Sequence, residues 1–283
     1  MMVVGCMGNR QMARALNCSP ETVAHHVARL GRHCLLVQAR ELRHIPALDE
    51  IAIDGFETFE WSQYFPFHHN VAVDVGSGYF LYHTDSPLRR KGRMRPRQKA
   101  RRAQIELAFG RPPSRAIEHG VRDLLLSLRP GVIRSDDHRA YPRAIASVGR
   151  GVTHLITSSK RRRDRRNPLW EVNLLDLMIR HSTAAHKRET IAWAKRRQAS
   201  IEKLAIFQVW RNYMKKRWEK QTEDTPAMVL GLASRRWRLR DLLKKRVFFD
   251  MIELSPCWEH YYRREVRTAA LKVNRTHRLR YAF

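Results

Sequence analysis

Two acidic residues, each at the end of a predicted strand, have the type and position that metal binding requires. Asp54 follows the apolar run 51–53 and is followed at once by Gly55, and Asp136 ends a second predicted strand that begins at residue 132. An apolar run predicts a buried strand, and a glycine after the acid predicts that the chain turns to solvent there. A carboxylate held on rigid strand backbone can bind a divalent cation. The ordinary alternative is an acid at a strand-to-turn junction, and the first run alone does not exclude it.

The elements around these acids alternate between strands and helices, which predicts an α/β fold with a mixed sheet. Two apolar runs on either side of Gly76-Ser77-Gly78 predict a β-hairpin. Strands are predicted over 51–54, 71–75, 79–83, 132–136 and 153–157, and helices over 97–109, 114–128, 141–148 and from Asn167-Pro168 to 180. A sheet that places the first and fourth strands side by side would bring Asp54 and Asp136 together.

A third acid is expected from the last of these helices, where two residues compete. Glu171 lies in its first turns and Asp176 lies further along. Helical geometry puts the two on different faces, so both are not expected to reach the same metal. Glu171 is the favoured third ligand and Asp176 the alternate, and each has the further alternative of being a solvated helix acid.

The charge balance points to a polyanionic partner. The 283 residues include 55 Lys and Arg against 27 Asp and Glu, a formal net charge of +28. The excess is spread along the chain, so it is not simply a basic tail. A folded surface this positive repels itself unless a partner neutralises it, and phosphate backbone is the commonest such partner. A hydrophobic content of 43% argues against disorder.

Two classes of protein are disfavoured by what the sequence lacks. No apolar run approaches the length of a membrane span, so we expect no membrane partner. The four cysteines form no CxxC pair, which predicts reduced thiols rather than a disulfide framework or a zinc ribbon.

The N-terminal region, 1–45, has the pattern of a helix-turn-helix. Helices are predicted over 10–16 and 20–30, with Ser19 as the N-cap and Pro20 in the first helical position. The second helix would be the recognition helix, with a polar, basic outer face formed by His25, His26, Arg29 and Arg32. Another helix usually precedes such a pair, so we expect the chain to begin inside this domain. The alternative is an ordinary short helical hairpin, and residues 31–49 are predicted to be a connector.

Further basic segments flank the predicted core, 46–185, and fill the region after it. DNA contacts are predicted for Arg89, Arg90, Lys91, Arg93, Lys160, Arg161, Arg162 and Arg163. Region 186–283 is predicted to be helical and basic, with one long or two abutting helices over 186–220, another from Thr225, and an amphipathic stretch over 237–249. A basic, aromatic tail follows, and it includes Arg275, Arg278, Arg280 and Tyr281. The alternative for any such charge run is a solvated face.

The order of three motifs resembles that of DDE-type insertion-sequence transposases. The motifs are Ile-Asp-Gly at 53–55, Ser-Asp-Asp-His-Arg-Ala-Tyr at 135–141 and Asn-Pro-Leu-Trp-Glu-Val-Asn at 167–173. Blocks at 186–191 and 225–228 also look like those of such transposases. These enzymes belong to the ribonuclease H-like, retroviral-integrase superfamily. The resemblance covers roughly residues 50 to 235, and the order of the motifs is more specific than any one of them.

The resemblance implies a fold and a set of ligands. It implies a ribonuclease H-like mixed five-stranded sheet flanked by helices, in which the first and fourth strands are neighbours. An N-terminal helix-turn-helix and a helical, basic C-terminal region would complete the chain. Asp54 carries over as the first acid and Asp136 as the second. Glu171 carries over provisionally as the third, and Asn173 is an alternative occupant of its slot.

The resemblance also implies a chemistry. The acids would hold two Mg²⁺ or Mn²⁺ ions roughly 3.5–4 Å apart, which would support DNA strand cleavage and strand transfer during transposition. The partners would be double-stranded DNA, as element ends and target, and further copies of the chain in the active complex. The location would be the cytoplasm of a prokaryote, at the nucleoid. The alternatives are a non-catalytic helix-turn-helix regulator with a degenerate core, and a structure-selective nuclease of the same fold.

Overall fold

A mixed five-stranded sheet lies at the centre of the chain. The structure is a computed structural model that describes residues 1–45, 48–149, 151–187, 191–220 and 222–274. Within these residues the strands are β1 (Glu50–Phe59), β2 (Pro66–Asp74), β3 (Phe80–Pro87), β4 (Val132–Asp136) and β5 (Thr153–Thr157). Their order in the sheet is β3-β2-β1-β4-β5. The β1–β2 and β2–β3 pairs are antiparallel, whereas β1–β4 and β4–β5 are parallel. The predicted α/β, ribonuclease H-like fold, with its first and fourth strands adjacent, is confirmed.

Helices surround the sheet. They are α1 (Asn9–Ala15), α2 (Pro20–Leu42), α3 (Pro96–Phe109), α4 (Ala116–Leu128), α5 (Ala140–Val148), α6 (Trp170–Ser182), α7 (Arg197–Tyr213), α8 (Pro226–Val229), α9 (Leu239–Lys244) and α10 (Pro256–Tyr262). Helix α4 packs on β2 and β3, α6 packs on β1 and β2, and α2 packs on α7. Buried residues of the N-terminal helices, the sheet and the C-terminal helices all belong to one hydrophobic core. The division into regions 1–45, 46–185 and 186–283 stays a prediction.

Strand β1 does not end at Asp54, contrary to the prediction. It continues to Phe59 and stays paired with β2, from Gly55 opposite Asn70 to Phe59 opposite Pro66. The glycine that suggested a turn serves close packing instead, because a Cβ at Gly55 would lie 2.2 Å from the backbone oxygen of His69. The hairpin between β2 and β3 is confirmed, although both strands are longer than predicted.

Helix α2 also runs well beyond its predicted end. It continues to Leu42, through most of the stretch predicted to be a connector. Residues 31–39 are buried, and the side chain of Arg32 is therefore not on the outer face, since this residue is 1% exposed. Gly31 permits the close approach to α7, because a Cβ there would lie 2.6 Å from the backbone oxygen of Glu202. A mixed polar and apolar stretch resembles a connector in sequence, but here it is a helix enclosed by neighbours.

We expect the substitution Gly31→Val to lower the free energy of unfolding by roughly 1–3 kcal/mol, because the added side chain forces α2 away from α7. Urea denaturation followed by circular dichroism would measure the loss. The matched control is Gly5→Val, because a Cβ at Gly5 meets no atom within 4 Å. Equal unfolding midpoints for Gly31→Val and the wild type would contradict the close α2–α7 contact.

The C-terminal region is less helical than predicted. One long helix or two abutting helices were predicted over 186–220. The described residues there form a short 3₁₀ turn at Ala184–His186 and the helix α7, which ends at Tyr213. Helix α7 is buried around almost its whole circumference, so its apolar residues do not form the single stripe that helps to define helix bounds. The stretch predicted over 237–249 contains only the short helix α9 within its described residues. The helix predicted to start at Thr225 is confirmed as α8, and the Thr225 side chain caps it by accepting a hydrogen bond from the Met228 amide.

Some predictions fall on residues outside the described part of the chain. These are the middle of the block 186–191 and the tail residues Arg275, Arg278, Arg280 and Tyr281. Among the described residues, no helix is long and apolar enough to cross a membrane. The four cysteines are free thiols, as predicted.

Three buried histidines lie between the sheet and α7. His69 and His186 both hydrogen-bond the Ser200 hydroxyl, at 2.9 and 3.0 Å, and their rings pack edge to face. Burial lowers the pKa of His83 and of His186 to about 3, and it lowers that of His69 well below its ordinary value. These imidazoles are therefore neutral in the folded protein and take up protons on unfolding.

This burial predicts acid sensitivity. The folded-state pKa of His186 lies below its unfolded value near 6.5, so the stabilising contribution is complete above about pH 6.5 and decreases as the pH falls toward 3. His186 should therefore contribute a loss of about 2 kcal/mol in the free energy of unfolding between about pH 6.5 and 4.5. Urea denaturation across this range should show a shallower pH dependence for His186→Gln than for the wild type. The control is His25→Gln, because His25 is an exposed histidine. A wild-type stability that does not vary with pH would contradict the prediction.

Candidate active site

The sheet brings Asp54 and Asp136 to the same level. In the parallel β1–β4 pair, Ala52 lies opposite Arg134, and the same register continued by two positions places Asp54 opposite Asp136. Residues opposite each other on neighbouring strands project to the same face of a sheet. Strand β4 ends at Asp136, whereas β1 continues beyond Asp54. Asp54 therefore lies at the edge of the sheet only on the side where β1 faces β4.

Asp54 is held in a partly buried, acidic environment. The pKa of Asp54 is raised to about 6, chiefly by burial and also by the nearby Asp136 carboxylate. The Gly55 amide and the Arg163 guanidinium act in the opposite direction. The hydroxyl of Tyr141 donates a hydrogen bond to Asp54 Oδ1 at 3.4 Å. The negative charge of Asp136 raises the pKa of Asp54, and a cation bound beside both carboxylates would be stabilised.

Asp136 is oriented by the turn that follows β4. Its Oδ1 accepts a hydrogen bond from the His138 amide at 2.9 Å, as in an Asx turn. The carboxylate is therefore fixed by local backbone at the start of α5. The ring of His138 lies beside that of Tyr141, with centroids 5.5 Å apart.

Helix α6 closes the cleft that contains these acids. The cleft has a volume of about 490 Å³, and α6 lines it with Asn173, Asp176 and Arg180 among others. Asp176 is 9% exposed. Burial raises the pKa of Tyr141 well above its usual value, and the carboxylates of Asp54, Asp136 and Asp176 raise it further. The phenol of Tyr141 therefore lies within electrostatic reach of all three acids.

Glu171 lies on a different face of α6 and does not line this cleft. Burial raises its pKa most strongly, while Arg134 and Arg217 lower it and Asp74 raises it. Arg134 belongs to the salt bridge with Glu50 at the start of β1, away from Asp54. The structure thus separates the two residues that compete for the third position, as helical spacing predicts, and it brings Asp176 and Asn173, rather than Glu171, to the cleft.

The oxygen donors of the cleft suit a hard divalent cation such as Mg²⁺. In the described parts of the chain, no three His, Cys, Asp or Glu side chains are assembled closely enough to form a ready-made metal cluster. Asp54, Asp136 and Asp176 nevertheless line the same cleft, together with Asn173. The residues therefore fit a cation that draws the acids together on binding.

The predicted DNA-binding residues are dispersed around the molecule. Arg163 lines the cleft, and residues 160–162 are exposed beside it. Arg89 forms a two-point salt bridge with Glu106, at 2.7 and 3.0 Å. The Arg90 guanidinium lies over the Tyr64 ring, while Lys91 and Arg93 are exposed.

The predicted outer face of α2 is only partly present. His25, His26 and Arg29 are exposed. Arg32 is buried, and its guanidinium lies over the ring of Tyr262. Arg32 is therefore not proposed as a DNA contact, because a phosphate cannot reach it unless the surrounding helices move.

Residues without a role in the sequence prediction also line the cleft. Tyr141 and His138 lie in the motif 135–141, so their position after the second acid was the available signal. His68 on β2 has no such signal. Burial lowers its pKa to about 4, and its Nδ1 is 2.9 Å from Asn70 Oδ1. Its place in the cleft follows from the β1–β2 register alone.

Comparisons with known proteins find likeness in fold alone. No protein-family model matches the chain, and no curated protein sequence does. One similar solved structure is the simian T-cell lymphotropic virus intasome in complex with PP2A regulatory subunit B56 gamma, at 12% identity and a TM-score of 0.32. The match covers 66% of this chain and 55% of that one.

Two others are the dimeric and trimeric forms of the HTLV-2 integrase catalytic core domain in complex with magnesium. Both are 10% identical to this chain, with TM-scores of 0.29 and 0.30. Each match covers 65% of this chain and 95% or 96% of the other. Similarity this distant carries no argument about activity.

Proposed function

We propose that this protein is a DDE-type transposase, a metal-dependent phosphoryl transferase that cleaves DNA strands and joins them to a target. The observation that carries the proposal is the level placement of Asp54 and Asp136 on adjacent parallel strands, with Asp176 in the same cleft. The order of the sequence motifs supports it independently. The substrate would be double-stranded DNA in a prokaryotic cytoplasm, and several copies of the chain would act together.

The three acids would act as ligands rather than as nucleophiles. Asp54, Asp136 and Asp176 would hold Mg²⁺ or Mn²⁺, which supplies activation of an attacking water or 3′-hydroxyl and stabilisation of the leaving oxygen. Tyr141 orients the Asp54 carboxylate through its hydrogen bond, and the His138 amide orients that of Asp136. Metal ligands depend on such neighbours for their geometry.

Asp176 replaces Glu171 as the proposed third ligand. Asp176 shares the cleft with the other two acids, whereas Glu171 lies near Arg134 and Arg217 on another face of α6. Asn173 also lines the cleft, and an amide oxygen there can accompany the carboxylates as a neutral ligand. Arg163 also lines the cleft, and its guanidinium would contact a phosphate oxygen of the DNA.

A strand-transfer assay tests the proposal. Purified full-length protein would be incubated with labelled duplexes taken from the DNA on either side of its gene, together with a plasmid target and Mg²⁺ or Mn²⁺. We expect nicked and joined products that disappear when EDTA removes the metal. Sequence-specific binding without nicking would identify a non-catalytic regulator instead. Cutting without joining would identify a nuclease of the same fold.

A further inference from the structure

A second depression adjoins the acid cleft and is strongly basic. This basic groove has a volume of about 770 Å³ and shares Asp136 and His138 with the cleft. Anything bound along the groove therefore reaches the proposed active site. The cationic residues that line it are Arg89, Lys91, Arg111, Arg115, Arg139 and Arg143.

Four of these cations have no acidic partner in the described part of the chain. Lys91, Arg115, Arg139 and Arg143 are exposed, and none of them forms a salt bridge with any described residue. The other two, Arg89 and Arg111, both pair with Glu106, at 2.7 and 3.2 Å. Part of the groove is thus held in place by internal ion pairs. The other four cations outnumber Glu118, Asp136 and Asp137, the acids that also line the groove, so it keeps an excess of positive charge.

The four unpaired cations come from separate parts of the chain. Lys91 lies in the loop after β3, Arg115 immediately precedes α4, Arg139 immediately precedes α5, and Arg143 lies within α5. In a chain of net charge +28, exposed cations are expected on every face. Their convergence on one depression that ends at Asp136 is what distinguishes this group. Like charges gathered in a groove repel one another unless an anion neutralises them.

We propose that the basic groove binds the phosphate backbone of duplex DNA and directs it toward Asp54 and Asp136. This inference rests on the proposed function for its substrate class and adds Arg115, Arg139 and Arg143 as binding residues. The occupant is a polyanion of regular charge spacing, because the groove presents several cations in succession rather than one enclosed anion pocket.

The test measures DNA binding without catalysis. A short fluorescein-labelled duplex of arbitrary sequence would be titrated by anisotropy, in EDTA, at several salt concentrations. The groove variant carries Lys91→Gln, Arg115→Gln, Arg139→Gln and Arg143→Gln. The slope of log Kobs against log salt should become shallower by about 0.9 for each phosphate that the variant no longer neutralises. We expect a total change of about 2–4, and at least a tenfold loss of affinity at about 0.1 M salt.

A matched variant controls for overall charge. It replaces four exposed cations outside the groove with glutamine, namely Arg236, Arg240, Lys244 and Arg246. We expect this variant to keep most of the wild-type salt slope. Equal losses in the two variants would overturn the inference and show that the groove is only one part of a uniformly solvated basic surface.

Two further arrangements keep the result decisive. If the groove variant does not give a native circular dichroism spectrum, Arg115→Gln and Arg143→Gln are tested singly, each with an expected slope change of about 0.9.

Because the assay contains no metal, it is independent of the enzymatic proposal. Groove-dependent binding by a protein that never nicks DNA would refute the transposase and leave the groove intact. If the protein performs strand transfer but its groove and control variants bind DNA equally, the proposed role of the groove is refuted and the transposase proposal stands.

Discussion

The variants Asp54→Asn and Asp136→Asn are each expected to lose at least about 100-fold in metal-dependent strand cleavage while binding DNA nearly as well as the wild type. Replacing outer neighbours of metal ligands already costs 10–100-fold, and these changes remove a ligand itself. Binding should persist because the cationic groove and the cleft keep their positive residues. The measurement is strand transfer at saturating Mg²⁺, with anisotropy in EDTA as the binding assay.

The control for this experiment is Asp49→Asn. Asp49 is exposed, lies just before β1, and changes the net charge by the same amount when it is replaced. Its variant should keep wild-type cleavage. Strand transfer by the Asp136→Asn protein within a few-fold of the wild type would end the assignment of a carboxylate-held metal centre, whatever the fold.

The second large effect separates the two acids on α6. We expect Asp176→Asn to lose at least about 100-fold in cleavage, because this residue shares the cleft with Asp54 and Asp136. Glu171→Gln should stay within a few-fold of the wild type, since Glu171 lies on a different face, near Arg134 and Arg217. Each variant removes one carboxylate from the same helix, so each is the other's control.

Three outcomes of that comparison carry different meanings. Loss with Asp176→Asn alone supports the cleft as described. Loss with Glu171→Gln alone would show that α6 rotates when metal and DNA bind, and it would restore Glu171 as the third ligand. Full activity in both variants would leave Asn173 in the third position and predicts that Asn173→Ala abolishes cleavage instead.

Local patterns were sufficient for several elements of this protein. The residues before Asp54 and Asp136 form strands, and the runs around the turn at 76–78 form a hairpin. The helix predicted over 114–128 is α4, and the cap at Ser19 predicted the start of α2, where the Ser19 hydroxyl accepts from the Thr22 amide. These predictions were correct because strand alternation, helix caps and turns depend on residues that are neighbours in the sequence.

Other predictions were wrong because residues far away in the sequence determine these features. Gly55 lies within a strand because β2 provides hydrogen-bond partners beyond it, and Gly31 lies within a helix because α7 passes close by. Neither partner is adjacent in sequence. The burial of Arg32 has the same origin, since helices from the other end of the chain cover it.

Sequence patterns were enough to predict the fold class, the two acids at corresponding strand positions and the large positive charge. They also predicted that Glu171 and Asp176 do not share a face of one helix, because that follows from 3.6 residues per turn. Which of these two faces meets the cleft depends on long-range packing, because the rotation of α6 about its axis is set by its contacts with β1 and β2. Long-range packing also brings the arginines together beside Asp136, since the groove is assembled from the loop after β3, the segment before α4 and the residues around the start of α5.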